Sequence, residues 1–192
     1  MFDEQISFNN YRTFFSIATR NLSKIHSLIE KRDQRCKIPK FSDDDIDFVC
    51  KINALIQQST MITVIFSVMT IESFINDYGM NYFSGAYFKN YLDKLDLKSK
   101  WVIFPKLITN KPINTDSQAF ELLGKLIKLR NKLVHDKPIK RMFNDLEGLE
   151  NVTESQAKDS INAVKELINE LAKLDQTINL EWLDEVEFDP FI

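Results

Sequence analysis

The feature that most constrains this chain is a set of four long stretches in which apolar residues return every three or four positions. In the first, Phe8, Tyr11, Phe15, Ala18, Leu22, Ile25 and Ile29 recur at that spacing, with Asn10, Thr13, Arg20, Lys24 and Lys31 between them. A stripe of period 3.6 needs a helix and a second surface to bury it against. The spacing predicts helices over 4–34, 43–81, 117–136 and 153–177. Only four Gly and five Pro interrupt 192 residues, which disfavours a many-turned β fold. The expected fold class is all-α, an antiparallel bundle of long helices. One domain over 1–177 is expected, with the acidic and aromatic tail 178–192 packed on its body.

Local signals mark the helix ends. Ser42-Asp43-Asp44-Asp45 supplies an N-cap and first-turn acids. Three adjacent acids on a helix point in different directions, so a helix start explains them better than a metal site. Thr153-Glu154-Ser155-Gln156 has the form of a capping box. Thr115 or Asp116 suits the cap of the third long helix, and Asp136-Lys137-Pro138 ends it. Between them, Gly85, Pro105 and Pro112 punctuate a weaker segment with short helices expected over 87–95 and 99–107. That segment, from Tyr82 to Thr115, is aromatic (Tyr82, Phe83, Tyr87, Phe88, Tyr91, Trp101, Phe104) and basic (Lys89, Lys94, Lys98, Lys100, Lys106). Core packing or a dimer surface is the expected use of its rings. Stacking on RNA bases is the alternative.

Net charge is −3, so the chain as a whole does not resemble a polyanion binder. The distribution does more. From Lys125 to Arg141 there are seven basic residues (Lys125, Lys128, Arg130, Lys132, Lys137, Lys140, Arg141) against Asp136 alone, a local charge of +6. A solvated helix end, where the dipole favours cations, is one reading. An electrostatic seat for RNA phosphates is the other. Cys36 and Cys50 are lone thiols without a Cys-x-x-Cys pattern, so no zinc site is expected and a reducing cytoplasm is. The opening MFDEQISFNNYR lacks a signal-peptide pattern, and the apolar run from Met61 to Ile71 is short for a membrane span. His26 has no chemical partner in view and is expected at the surface.

The basic stretch contains an unusual cluster at the end of the third long helix. With Arg130 at zero on a wheel of about 100° per residue, Leu123, Leu126, Ile127, Leu133 and Val134 fall within about 60° of it. An arginine in an apolar stripe is costly unless paired or used. Asn131 and His135, four apart, share a flank. Upstream, Glu72 stands in the same relation to Met61, Ile65, Val68, Met69 and Ile75. Two inward charges of opposite sign invite a buried pair, so Glu72 and Arg130 are expected to face each other, directly or through water.

Arg130-Asn131-Lys132-Leu133-Val134-His135 matches the Arg-x4-His pattern, with Asn directly after Arg, of HEPN-domain proteins. Thr70-Ile71-Glu72-Ser73-Phe74-Ile75-Asn76 resembles that family's earlier long helix, and the likeness spans about residues 5 to 175. The resemblance implies a helical homodimer and metal-independent endoribonuclease activity, in a toxin or antiviral defence effector, with an antitoxin or defence partner protein possible. It implies His135 as the proton-transfer residue, Arg130 as the phosphate stabiliser and Asn131 as the orienting group, without metal or cofactor. Lys128, Lys132, Lys137, Lys140 and Arg141 would then hold RNA, with Glu72 as the supporting buried charge. The alternatives are a HEPN-like RNA-, nucleotide- or protein-binding module without turnover, and an unrelated helical domain in which Arg130 is structural and His135 only caps a helix. No Gly-rich phosphate loop, Gly-x-Ser-x-Gly or clustered metal ligands compete in the sequence.

Overall fold

The computed structural model describes residues 10–38, 40, 42–135 and 153–184. Among these residues the chain is all-helical, without strands. In order come α1 (Asn10–Cys36), α2 (Asp43–Tyr82), the single turn α3 (Gly85–Tyr87), a π-helical turn (Phe88–Leu92), α4 (Leu97–Thr109), α5 (Gln118–His135), α6 (Glu154–Leu174) and a 3-10 turn (Glu181–Leu183). Residues 4–9, expected to open the first helix, lie outside the described residues.

α1 and α2 form an antiparallel hairpin that is the largest helix contact of the fold. The pairs run in opposite order along the two helices. Tyr11 meets Phe74 edge-on with ring centroids 5.1 Å apart, Phe14 lies 5.8 Å from Phe66, and Thr63 Oγ1 donates to the Ala18 carbonyl at 3.4 Å. Near the connection, Arg35 pairs with Asp45. Asp45 also closes a capping box with Ser42: the Asp45 N–H donates to Ser42 Oγ, and the Ser42 N–H donates back to Asp45 Oδ2 at 2.8 Å. The acids predicted as a helix start are therefore used as one.

The buried side of α2 carries Thr60, Thr63, Val64, Ser67, Val68, Thr70, Ile71, Phe74, Ile75 and Tyr78. Small hydroxyl residues let α1 approach closely. Thr60, Thr63 and Thr70 satisfy their hydroxyls on carbonyls four residues back, at 2.7–2.9 Å. α2 includes an 18-residue window of mean hydropathy 1.5, half of it buried in the bundle, and by length and composition alone it could also cross a membrane. Counting only the run from Met61 to Ile71 understates this helix. No charged residue lies between Lys51 and Glu72.

α6 runs antiparallel to α1. Its first residue Glu154 approaches His26 at 3.4 Å, and Asp175, just past its end, accepts hydrogen bonds from Tyr78 and Tyr82 on α2 at 3.0 Å each. The capping box predicted at Thr153 and Gln156 forms. His26 is exposed, as expected, with Glu154 as its neighbour. Trp182 in the 3-10 turn is buried against Tyr11, Phe15 and Phe74, with centroids 4.9–6.0 Å away, and its Nε1 donates to the Asn179 carbonyl at 3.0 Å. Residues 185–192 of the tail lie outside the described residues.

The intermediate segment departs from expectation in detail. The short helix expected over 87–95 is instead the α3 turn followed by a π turn, in which the Asp93 N–H reaches the Phe88 carbonyl at 2.9 Å. The next helix, α4, is longer than expected at both ends and keeps Pro105 inside it. Asn110 then turns the chain with a left-handed φ of 60°, a conformation asparagine tolerates. Neither Thr115 nor Asp116 caps α5. Ser117 does, its Oγ accepting from the Phe120 N–H at 3.3 Å.

Candidate functional site

α5 is amphipathic, but its burial fades along its length. Ala119, Phe120, Leu123 and Leu126 are buried, Ile127, Leu129 and Leu133 are half-buried, and Val134 is 53% exposed. α5 packs against α2 and α6, its first turns more buried than its last described ones. That less buried end carries the motif. Arg130 is half-buried, while Lys128, Asn131, Lys132 and His135 are exposed. Lys137, Lys140 and Arg141 lie outside the described residues.

Helix geometry sets what these groups can do within one chain. Asn131 and His135, at i and i+4, are neighbours, with Cβ atoms about 5–6 Å apart. Arg130 and His135 are five residues apart, which is about 7.5 Å along the axis and about 140° around it. One α5 therefore presents a guanidinium and an imidazole on different sides of the same helix end. Among the described residues His135 makes no hydrogen bond.

The direct form of the expected pair is not seen. Glu72 and Arg130 are each half-buried, and no ion pair or hydrogen bond joins them among the described residues. The reason lies in which face of α2 turns inward. Its buried arc is centred on the Ser/Thr-containing side, with Val64, Ile71 and Phe74, and Glu72 sits at the edge with Ile65, Met69 and Asn76, all half-buried. Each charge keeps access to water and needs no protein partner. Glu72 is a partly solvated carboxylate, not a buried one.

A different cation is enclosed. Lys100, expected among the basic residues of its segment, is only 4% exposed. Its Nζ donates to Asn76 Oδ1 at 2.9 Å and lies 4.0 Å from Asp93 Oδ1. It ties α4 to α2 and is removed from any surface that RNA could touch. Next to it, Trp101 is fully buried, its ring stacked 6.2 Å from Phe74 and its Nε1 without a partner among the described residues.

A cavity of about 280 Å³ lies between α5 and α6, lined by Leu122, Lys125, Leu126, Leu129, Gln156, Asp159 and Ser160. It ends one residue before Arg130. Nothing in the sequence pointed to it, because its lining combines half of each helix. Gln156 and Ser160, four apart, were the only trace of a shared polar face. Lys125 on its rim pairs with Glu121 at 2.7 Å, which raises the lysine above its ordinary pKa and lowers the carboxyl.

Among the described residues no group of three or more His, Cys, Asp or Glu side chains could hold a metal ion. Cys36 and Cys50 are exposed free thiols. The arrangement is therefore an accessible cationic helix end with one imidazole, one guanidinium and one carboxamide, set beside a small apolar cavity. No protein-family model, curated protein or solved structure matches the chain.

Proposed function

We propose that the protein is a metal-independent endoribonuclease of HEPN type that works as a homodimer in the cytoplasm. The observation that carries this reading is the open end of α5, where Arg130, Asn131 and His135 reach solvent together with Lys128 and Lys132. The resemblance of the Arg130–His135 stretch and of Thr70–Asn76 to that family supports it. The all-helical bundle is compatible with it.

The chemistry follows from the side chains. Cleavage begins when a ribose 2′-oxygen attacks the adjacent phosphorus. Its proton passes to an imidazole, the bond from phosphorus to the 5′-oxygen breaks, and the 5′-oxygen takes a proton from a second imidazole. The products are a 2′,3′-cyclic phosphate and a free 5′-hydroxyl. Arg130 meets the charge that builds on the phosphate oxygens with its forked donors. Asn131, one turn before His135, orients the ring or holds the phosphate. One chain supplies only one histidine at this end, and a two-fold pair brings two. The apolar rim of half-buried Leu133 and exposed Val134 supports pairing here. In this reading α2 is a core helix, and a toxin or antiviral role would add an antitoxin or defence partner protein.

A second reading is a HEPN-like RNA-, nucleotide- or protein-binding module without turnover. The cavity beside Leu129 and the unconstrained His135 favour it. Incubating the purified protein with a mixed RNA pool in chelator, beside His135→Ala, separates the two. Cleavage by the parent alone supports the nuclease. Equal binding without cleavage by either protein supports the module.

A further inference from the structure

An aromatic ladder runs from the core to solvent at the far side of the short helices. Phe104 is fully buried. Phe83 meets it edge-on at 6.0 Å, Tyr87 lies 5.9 Å from Phe83, and Tyr91 lies 5.2 Å from Tyr87 with the two rings tilted by 46°. Exposure rises along the ladder: Phe83 is half-buried, Tyr87 46% exposed and Tyr91 68% exposed. Each ring is braced by the one beneath it, so the outermost is held in place while lying open. Among the described residues Tyr91 has no ring or hydrogen-bond partner besides Tyr87.

Two further observations bear on what this surface takes. Tyr91 sits in the π turn Phe88–Leu92, whose widened backbone replaces an ordinary helical turn. π turns cost hydrogen-bond geometry and concentrate at functional sites. Charge is the second. Lys89 and Lys94, two residues before and three after Tyr91 in the sequence, are exposed, as are Lys98, Lys106 and Lys111 farther along. Against them stand Asp93 and Asp96, of which Asp96 caps α4 through the Ser99 N–H at 3.1 Å. Open rings among lysines match unpaired bases on a phosphate backbone. Rings stack on bases of any sequence, and lysines follow the phosphates.

We infer that Tyr87 and Tyr91, with Lys89 and Lys94, form a docking surface for single-stranded RNA. The inference rests on the ribonuclease reading for its substrate class, and it specifies that substrate as unpaired RNA. Farther along, at the start of α4, Lys98 reaches the motif helix, its Nζ 5.2 Å over the Phe120 ring. Phe120 is ten residues before Arg130, about 15 Å along α5.

The test uses the full chain carrying His135→Ala, so that the probe stays intact, and fluorescence anisotropy with a labelled single-stranded RNA of about 12 nucleotides and a hairpin of equal length. Tyr87→Ala/Tyr91→Ala should weaken single-strand binding at least about fivefold, the low end for one lost stack, and leave hairpin binding unchanged. Tyr87→Phe/Tyr91→Phe keeps the rings and should bind like the unsubstituted tyrosines. Lys89→Ala/Lys94→Ala should lower the slope of log affinity against log salt by about 1.4. Thermal melts of the alanine variants should match the parent because both rings are exposed. Single-strand affinity unchanged by the double alanine variant overturns the inference, as does a parent that binds no single strand. A shift in self-association with unchanged RNA affinity also overturns it and makes the ladder a contact between copies. Failure here with His135-dependent cleavage intact leaves the nuclease reading standing. Tyrosine-dependent binding without any cleavage removes the nuclease and keeps the surface.

Discussion

Replacing Arg130 by alanine separates two accounts of the same residue by a wide margin. A buried ion pair with Glu72 would make its loss cost about 3–5 kcal/mol, because the stranded carboxylate stays buried. For a chain of this size about 1 kcal/mol moves the midpoint by about 2–4 °C, so that account requires a fall of about 6–20 °C. The structure argues for much less. Arg130 is half-buried and unpaired among the described residues, and Glu72 is partly solvated. What Arg130→Ala removes is the packing of its aliphatic stem, offset by the higher helix propensity of alanine. The expected cost is under about 1 kcal/mol, a shift of less than about 4 °C. Calorimetry of Arg130→Ala, Glu72→Ala and the double variant checks it, with the coupling between the two sites expected within about 0.5 kcal/mol of zero. A fall beyond about 6 °C together with a coupling above about 2 kcal/mol would refute the corrected geometry and restore the pair. A small shift also frees Arg130→Ala to be used as a clean activity variant.

Asp175→Ala should behave differently. It strands the buried Tyr78 hydroxyl, whose pKa burial and Asp175 both raise, while exposed Tyr82 and Thr177 rehydrate; a loss of about 1–3 kcal/mol follows, and Tyr78→Phe in the same background should recover part of it in a chemical denaturation. Acid should weaken the fold from below about pH 4, the ordinary carboxylate value. Hydrogen bonds from Ser42 hold Asp45 below that value, and Asp175 is also held low because bonds from Thr177, Tyr78 and Tyr82 outweigh the opposing effect of burial. Groups lowered in the folded state give stability that is complete above the unfolded pKa and lost as pH falls through the folded one, while Asp77, raised by burial, works in the opposite sense. Ser42→Ala should flatten the acid limb of a pH series of melts. Gly79→Ala should destabilise despite the better helix propensity of alanine, because the added methyl would lie 2.7–2.9 Å from the rings of Phe104 and Phe88; a melt above the parent's midpoint would contradict that packing.

The long helices were legible because their apolar spacing and caps point the same way. Ser42 and Thr153 start helices by the same reciprocal bonds that their sequences suggest, while Asp136-Lys137-Pro138, expected to end α5, lies outside the described residues. The inward face of α2 was not legible. A helix with no charge from Ile52 to Ile71 has only uncharged polar residues to set against its apolar ones, so the centre of its apolar stripe does not say which side is buried. Small hydroxyl residues decided it by admitting α1, and that moved Glu72 to the edge. The enclosure of Lys100 includes its bond to Asn76, which joins α4 to α2 across 24 residues of sequence. Of the candidate site, the open end of α5 follows from its own pattern of Lys128, Asn131, Lys132 and His135. The cavity beside it depends on α6 and could not be read from either helix alone.

His135 is proposed to move protons in RNA cleavage without a metal. The most direct measurement is cleavage of a defined single-stranded RNA by the parent and by His135→Ala in excess chelator, with the product ends identified by mass spectrometry. The parent should leave 2′,3′-cyclic phosphate and 5′-hydroxyl ends, and His135→Ala should be slower by about 10²–10⁴-fold, the usual contribution of general acid–base catalysis. Equal rates for the two proteins, or activity that disappears with the chelator, would contradict the account.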